Sequence, residues 1–168
     1  EMENVDIVDE KDEIVGQSSK DNAHKKGLLH RTVIAEVIDS QGNWMLVRQA
    51  SHKQDSGQFV SPMGGHVKRG ESEEEALKRE ALEELAFENF IFKLKGKVIY
   101  RRQVKDHIEN HYFIVYEIYS DITPMLNNES TEFQKFSPTE LKKRLKKSPG
   151  EFGAAFHFLT KELYPELH

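Results

Sequence analysis

Cysteine is absent from the 168 residues of this chain. That absence alone excludes a disulfide framework, a thiolate zinc site and a cysteine nucleophile. Long hydrophobic runs are also missing: no apolar stretch approaches the roughly 18 residues of a membrane span. Residues 1–15 are acidic rather than signal-like. There is no excess of basic charge either, with 24 Lys and Arg against 29 Asp and Glu and a net charge of −5. A duplex nucleic-acid partner wants a basic surface and is not expected. No internal repeat or low-complexity linker occurs. What remains is an expected cytoplasmic, single-domain protein over residues 1–168, without membrane or duplex partners and with its oligomeric state open. In that setting the Asn128-Glu129-Ser130 sequon carries no meaning. The length suffices to bury roughly 70% of the unfolded surface.

The pattern along the chain predicts a mixed sheet packed by helices, an α+β or α/β arrangement. Residues 1–28 form an N-terminal extension. Within it, Val5–Val8 and Glu13–Gly16 flank the turn residues Asp9–Asp12 and predict a β-hairpin. Residues 17–28 are polar and predict a loop. Arg31–Ile38 and Trp44–Gln49 flank Ser40-Gln41-Gly42-Asn43 and predict a second hairpin. Short extended pieces are expected at Phe59–Ser61 and Gly65–Val67. Long strands are expected at Phe90–Arg102 and Asn110–Ser120, and a short one at Thr131–Phe136. Ser72 with Glu75 forms a capping box for a helix over 73–86. Ser137-Pro138-Thr139-Glu140 starts another helix, and a last one is expected over 151–163. The basic run Lys142-Lys143-Arg144 with Lys146-Lys147 is expected to be a solvated helix face.

The first of these helices is strongly anionic. Residues 71–84 hold seven glutamates against Lys78 and Arg79. At about 100° per residue, Glu80, Glu83 and Glu84 share an arc of roughly 100°. Like charges at helical spacing repel by a few tenths of a kcal/mol each. A hard divalent cation offsets that, since Mg²⁺ takes carboxylate oxygens and keeps waters for a phosphate substrate. Leu77, Ala81 and Leu85 step by four beside the arc and anchor the ligands on a rigid element. Just upstream, Gly64-Gly65-His66 lets backbone approach a ligand closely.

These residues together resemble the Nudix box. Gly65 is followed by five residues to Glu71, seven more lead to Arg79-Glu80, and Ala81, Leu82, Glu83-Glu84, Leu85, Ala86 and Phe87 complete it. Every charged position agrees. Ala81 stands where a larger aliphatic is usual, and Ala86 replaces the final glycine, whose left-handed turn alanine is harder to hold in. The resemblance implies an α/β/α sandwich with a mixed β-sheet, and hydrolysis of a pyrophosphate linkage in a nucleoside diphosphate derivative. By the same similarity Glu80, Glu83, Glu84 and the Gly64 carbonyl would bind Mg²⁺ or Mn²⁺. Arg79 would orient the glutamates, Gly65 and Glu71 would be structural, and catalysis would fall to Glu83, Glu84, Arg79 and a base. The loop candidates for that base are Glu129 and Glu132.

Further residues resemble the Nudix branch that contains type I isopentenyl-diphosphate isomerase: Val5–Glu10, His24, Leu29-His30-Arg31, Lys53 before Phe59, and Glu109-Asn110-His111. That enzyme needs a cysteine just before the Gly-His of its loop, where this chain has Gly64. His111 stands where it carries a second metal-binding glutamate. The missing thiol removes one of its proton-moving groups, while the hydrolase carboxylates are complete. A hydrolase of a small-molecule diphosphate is therefore expected, with isomerase-like activity or a noncatalytic nucleotide-binding module as alternatives. Arg31, Arg48, Lys53, His66 and Glu109 are the expected substrate contacts, as charge-assisted phosphate donors or cleft residues. His30 and His111 are further cleft candidates, and Phe59 and Tyr112 are candidates for base stacking or for the core.

Overall fold

The computed structural model describes residues 3–168. β1 (Asn4–Val8) and β2 (Ile14–Ser19) form the first hairpin, and α1 (Lys20–Lys26) follows directly. Then come β3 (His30–Ile38), β4 (Trp44–Gln49), β5 (Phe59–Val60), β6 (Met63–His66) and α2 (Glu73–Leu85). The chain ends with β7 (Ile91–Val104), β8 (His107–Tyr119), β9 (Ser130–Phe136), α3 (Pro138–Lys147) and α4 (Ala154–Leu163).

β3 is the spine of one mixed, curled sheet. It runs parallel to β8 from His30↔His111 to Ile38↔Tyr119. Along its other edge it meets β1 at its start, β6 in its middle and β4 at its end, all antiparallel. β7 extends the sheet beyond β8, and β9 and β5 pair with β4. Successive side chains of a strand point to opposite faces, so β3 and β8 feed two cores. Val33, Ala35, Ile114 and Tyr116 pack with Leu77, Ala81 and Leu85 of α2. Ile34, Phe113 and Val115 pack with Leu141 of α3 and with Phe156 and Leu159 of α4. The result is the expected α/β/α layering.

Two expectations are corrected. Residues 17–28 are not a loop, because β2 runs to Ser19 and α1 follows. The Ser19 hydroxyl accepts the Asn22 N–H at 3.1 Å, and Gly27 closes the helix at φ 69°. Seven mostly polar residues with only Ala23 buried leave no apolar stripe for the sequence to show. The last helix starts at Ala154 rather than 151, since Pro149–Glu151 makes a single 3₁₀ turn and the Gly153 N–H is spent on the Phe59 carbonyl at 2.9 Å.

α2 has its full capping box: Ser72 Oγ accepts the Glu75 N–H at 3.1 Å, and Glu75 Oε1 accepts the Ser72 N–H at 2.9 Å. At its other end Ala86 takes the left-handed conformation, φ 59° and ψ 34°, in the position where the family pattern has glycine. The Ala86 N–H donates to Leu82 at 3.1 Å, the Phe87 N–H donates to Ala81 at 3.2 Å, and Phe87 is buried. Burying Phe87 holds alanine in a conformation that disfavours it. Ala86→Gly should therefore raise stability by about 1 kcal/mol, the left-handed penalty less glycine's entropic cost. An unchanged denaturation midpoint would show that Ala86 bears no strain.

Glu36 of β3 is fully buried, with Oε2 accepting the Ser61 hydroxyl at 2.6 Å and Oε1 unpartnered among the described residues. Burial pushes its carboxyl from 4.5 up to about 8, despite the Ser61 bond, and the nearby Glu117 charge adds to the rise. A folded-state pKa above the unfolded one means a contribution present at acid pH and lost as pH rises. Stability should fall between about pH 4.5 and 8, and Glu36→Gln should flatten that slope in denaturant titrations at several pH values.

Candidate active site

The open end of the sheet holds a cavity of about 620 Å³. One wall is the junction of β6 and α2. Glu80 passes beneath Gly65 so closely that a Cβ there would collide with its carboxylate and push it from its place. The Gly64 N–H donates to Glu84 Oε2 at 3.1 Å. Arg79 ties the junction together. Its Nε and Nη2 reach the two Glu71 oxygens at 2.8 and 3.0 Å, Nη1 reaches Glu80 Oε1 at 2.6 Å, and Nη2 also reaches the His66 carbonyl at 3.0 Å. Glu83 Oε2 lies 3.7 Å from Arg79 Nη1 at the mouth of the cavity. Although burial opposes it, the Arg79 guanidinium holds the Glu71 carboxyl below its usual range. The N-terminal hairpin straps this loop: Asp6 Oδ2 accepts the Gly70 N–H at 3.0 Å, and Asn4 O accepts the Arg69 N–H at 2.9 Å.

The glutamates crowd one another. Burial pushes Glu84 up to about 10, and the charges of Glu80 and Glu129 add to the rise. Burial raises Glu80 too. Glu129 comes from the segment before β9 and is close enough to share a hydrogen bond with Glu84. Its Oε1 accepts from Lys53 Nζ at 2.9 Å and its Oε2 from Asn127 at 3.2 Å. Burial opposes ionisation of Glu129, yet the Lys53 ammonium holds its carboxyl below the usual range. Glu132 is elsewhere, paired with Arg48 at 3.3 Å and outside the cavity.

The second wall is a cluster of histidines. α1 supplies His24, β3 His30, β6 His66 and β8 His111, and one ring nitrogen from each lies within 4.8 Å of the others. Sheet register explains the convergence: His30 pairs with His111, and Thr32 lies opposite His66 and hydrogen-bonds His111 Nδ1 at 2.7 Å. His30 Nδ1 lies 2.8 Å from the Leu28 carbonyl, which can only accept, so Nδ1 carries the proton and Nε2 is a bare lone pair. Among the described residues, Nε2 of His24, His30 and His66 and Oε2 of Glu109 are buried without partners. Burial holds His24 and His66 below the usual range and His30 near 3, so these rings are neutral. Three neutral, aimed and unsatisfied nitrogens beside a carboxylate form a donor set for a metal ion.

Of the expected substrate contacts, Lys53, His66 and Glu109 line the cavity. Arg31 does not. Strand alternation places it with Val33 and Ala35 on the side of α2, where it bonds Asp12 at 2.6 Å. Arg48 also lies outside, over the Phe59 ring at 4.1 Å and on the Gly57 carbonyl at 2.8 Å. Phe59 is core, and Tyr112 packs on the α2 side with its hydroxyl on the Glu10 carbonyl. Sequence reading missed Arg102, Asp55 and the stacked pair Tyr100–Phe113, which line the far wall. For Tyr100, Arg102 and Phe113 the available signal was period-two alternation in β7 and β8, which places Tyr100 and Arg102 on one face, whereas Asp55 in the loop before β5 had none.

The family model of the NUDIX domain matches residues 28–156. The chain belongs to the Nudix family. It is 35% identical over 147 residues to an uncharacterized Nudix hydrolase of Nostoc sp., covering 84% of each chain. It is 28% identical over 152 residues to an isopentenyl-diphosphate Delta-isomerase of Photorhabdus laumondii, covering 89% of this chain and 86% of that one. A Deinococcus radiodurans crystal structure superposes with a TM-score of 0.78 at 28% identity, over 96% of this chain and 99% of that one. The Nudix box is thus the segment that Arg79 ties together. No helix among the described residues is long and apolar enough to cross a membrane.

The Arg79–Glu71 pair is mostly shielded and bidentate, so breaking either partner strands the other. Glu71→Gln and Arg79→Lys should each cost about 1–3 kcal/mol. The double variant should cost less than the sum by at least about 0.5 kcal/mol. Simple additivity in chemical denaturation would remove Arg79 from its bracing role.

Proposed function

We propose that this protein is a metal-dependent Nudix hydrolase that cleaves a pyrophosphate linkage in a nucleoside diphosphate derivative or related organic diphosphate. One observation carries the reading: Glu80, Glu83 and Glu84 converge on the cavity opposite an ionised Glu129. All the donors on that wall are oxygens, and burial raises the carboxyls of Glu80 and Glu84, with the neighbouring carboxylate charges adding to the rise. Such a set suits Mg²⁺, with Mn²⁺ as a substitute, held by Glu80, Glu83, Glu84 and the Gly64 carbonyl. When bound, the ion neutralises diphosphate charge and makes water a better nucleophile. Glu129 accepts the proton of the attacking water. Lys53 keeps Glu129 ionised and, with His66 and Glu109, borders the bound diphosphate. Arg79 keeps the glutamates in place through Glu71 and Glu80. The histidine wall holds a second divalent ion.

The isomerase reading finds less support, since the cavity has no thiol and Gly64 occupies the relevant place. A panel of nucleoside diphosphate derivatives and organic diphosphates with Mg²⁺ or Mn²⁺, assayed for phosphomonoesters with and without phosphatase, tests the proposal. Glu83→Gln and Glu84→Gln should lower turnover by orders of magnitude. Glu129→Gln should lower kcat by about 10²–10⁴ with a smaller change in KM. Full activity in all three variants, or deuterium exchange into isopentenyl diphosphate in place of hydrolysis, would overturn it.

A further inference from the structure

We propose that Glu36 is a proton-operated latch. While it keeps its proton it holds together two segments that line the cavity, Ser61 before β6 and the stretch from α4 to Tyr164. Losing the proton loosens both. The proposal adds a control to the hydrolase reading and stands without it.

Glu36 sits where backbone pairing gives out. The β3–β6 ladder ends at Ala35↔Met63. The next residue on the β6 side is Pro62, which has no N–H to donate. The Ser61 hydroxyl takes over the connection by donating to Glu36 Oε2 at 2.6 Å. Ser61, Pro62, Met63 and Gly64 all line the cavity, so Glu36 fixes the lead into the loop that carries Gly64.

On its other flank Glu36 pairs in register with Glu117 of β8, and the two side chains share one face. The Tyr164 hydroxyl donates to Glu117 Oε2 at 2.8 Å, and the Tyr119 hydroxyl donates to Oε1. Tyr164 is buried and stands edge-on to Trp44 at 4.7 Å. It follows the helix whose Ala155 and Phe156 line the cavity. One pair of carboxyls therefore joins both segments.

The joint needs a proton. Glu36 Oε1 is buried without a partner among the described residues, and a carboxylate there is an unmet charge in the core. Glu117 adds repulsion. Lys93 pairs across the ladder with Glu117, and Lys95 stands over the Tyr164 ring at 4.5 Å. Neither forms an ion pair with the two acids among the described residues. An ionised Glu36 is relieved by water. β3 does not yield to admit it, being hydrogen-bonded to β8 on one side and to β6 and β4 on the other. The covers that part are Ser61 and Tyr164, each fastened to this pair of acids by one hydroxyl.

Amide hydrogen exchange of the full chain between about pH 6.5 and 8, read segment by segment and corrected for its intrinsic pH dependence, tests the latch. Glu36 loses its proton at about 8 when covered, against 4.5 when open to water. Opening of residues 59–66 and 154–168 should therefore become roughly tenfold easier per pH unit, and should level off above about pH 8. α1 and α2, whose local openings leave Glu36 covered, should show no such rise. Glu36→Gln keeps an acceptor for Ser61 but cannot ionise, and should abolish it. Glu117→Gln keeps an acceptor for Tyr164 and removes the neighbouring charge, so the levelling-off should move to lower pH. Infrared difference spectra of the unaltered protein, which need no variant to fold, should show a carboxyl that loses its proton near pH 8, apart from Glu84 at about 10. An equal rise in every segment would overturn the latch, because Glu36 would then act on global unfolding alone. So would flat exchange in the two segments, a rise that survives in a folded Glu36→Gln, or the absence of a carboxyl titrating near pH 8. None of these outcomes depends on finding the hydrolytic substrate.

Discussion

The guanidinium of Arg79 is the contact on which the glutamate wall depends. It grips both oxygens of Glu71, one oxygen of Glu80 and the backbone of His66, so a single planar group fastens the β6 loop to α2. Lysine lacks the rigid fork needed to make all these bonds at once. With Arg79 in place, Glu80 can lie beneath Gly65 and Glu84 can accept the Gly64 N–H. The glutamates are then presented from a helix whose other side, Leu77, Ala81 and Leu85, is locked in the core. Rigid backing of this kind makes three crowded carboxylates tolerable and useful.

Charge is distributed with the same economy. The acidic helix would repel itself and any diphosphate without a cation, while Lys53 beside Glu129 and Arg102 on the far wall supply positive charge. On the imidazole wall, burial keeps His24, His30 and His66 unprotonated at neutral pH. One wall is therefore rich in oxygen donors, and the other is rich in nitrogen donors. The chain's net charge of −5 conceals this division completely.

Much of the architecture was legible in sequence because its signals are local. The capping box at Ser72, the runs rich in Ile, Val, Tyr and Phe in β7 and β8, and the proline-started α3 each act within a few residues. The box glutamates were legible for the same reason, since helical spacing alone puts them on one arc. α1 was not, because a seven-residue polar helix lives by its Ser19 and Gly27 caps and has no apolar stripe. Arg31 and Arg48 were placed wrongly because strand alternation fixes only relative faces. Which face looks into the cavity is decided by how the strands pair across the sheet, and on the other face Arg31 meets Asp12 and Arg48 meets Glu132. The histidines were visible one at a time, but their meeting depends on the register of β3 against β6 and β8, which no local pattern encodes.

That register has a consequence for how the molecule is made. His30 and His111 are neighbours in space and 81 residues apart in sequence, joined by a parallel ladder that runs the length of β3. Pairing over such a separation is slow, because the loop must close before any contact rewards it. On the ribosome, β1 to α2 emerge with a nearly complete glutamate wall and an unpaired β3 edge. The edge stays open until β8 arrives, so the exposed ladder is the segment most prone to mispairing during synthesis. The nitrogen site exists only once β8 has paired with β3, and its completion reports that the two strands have met in register.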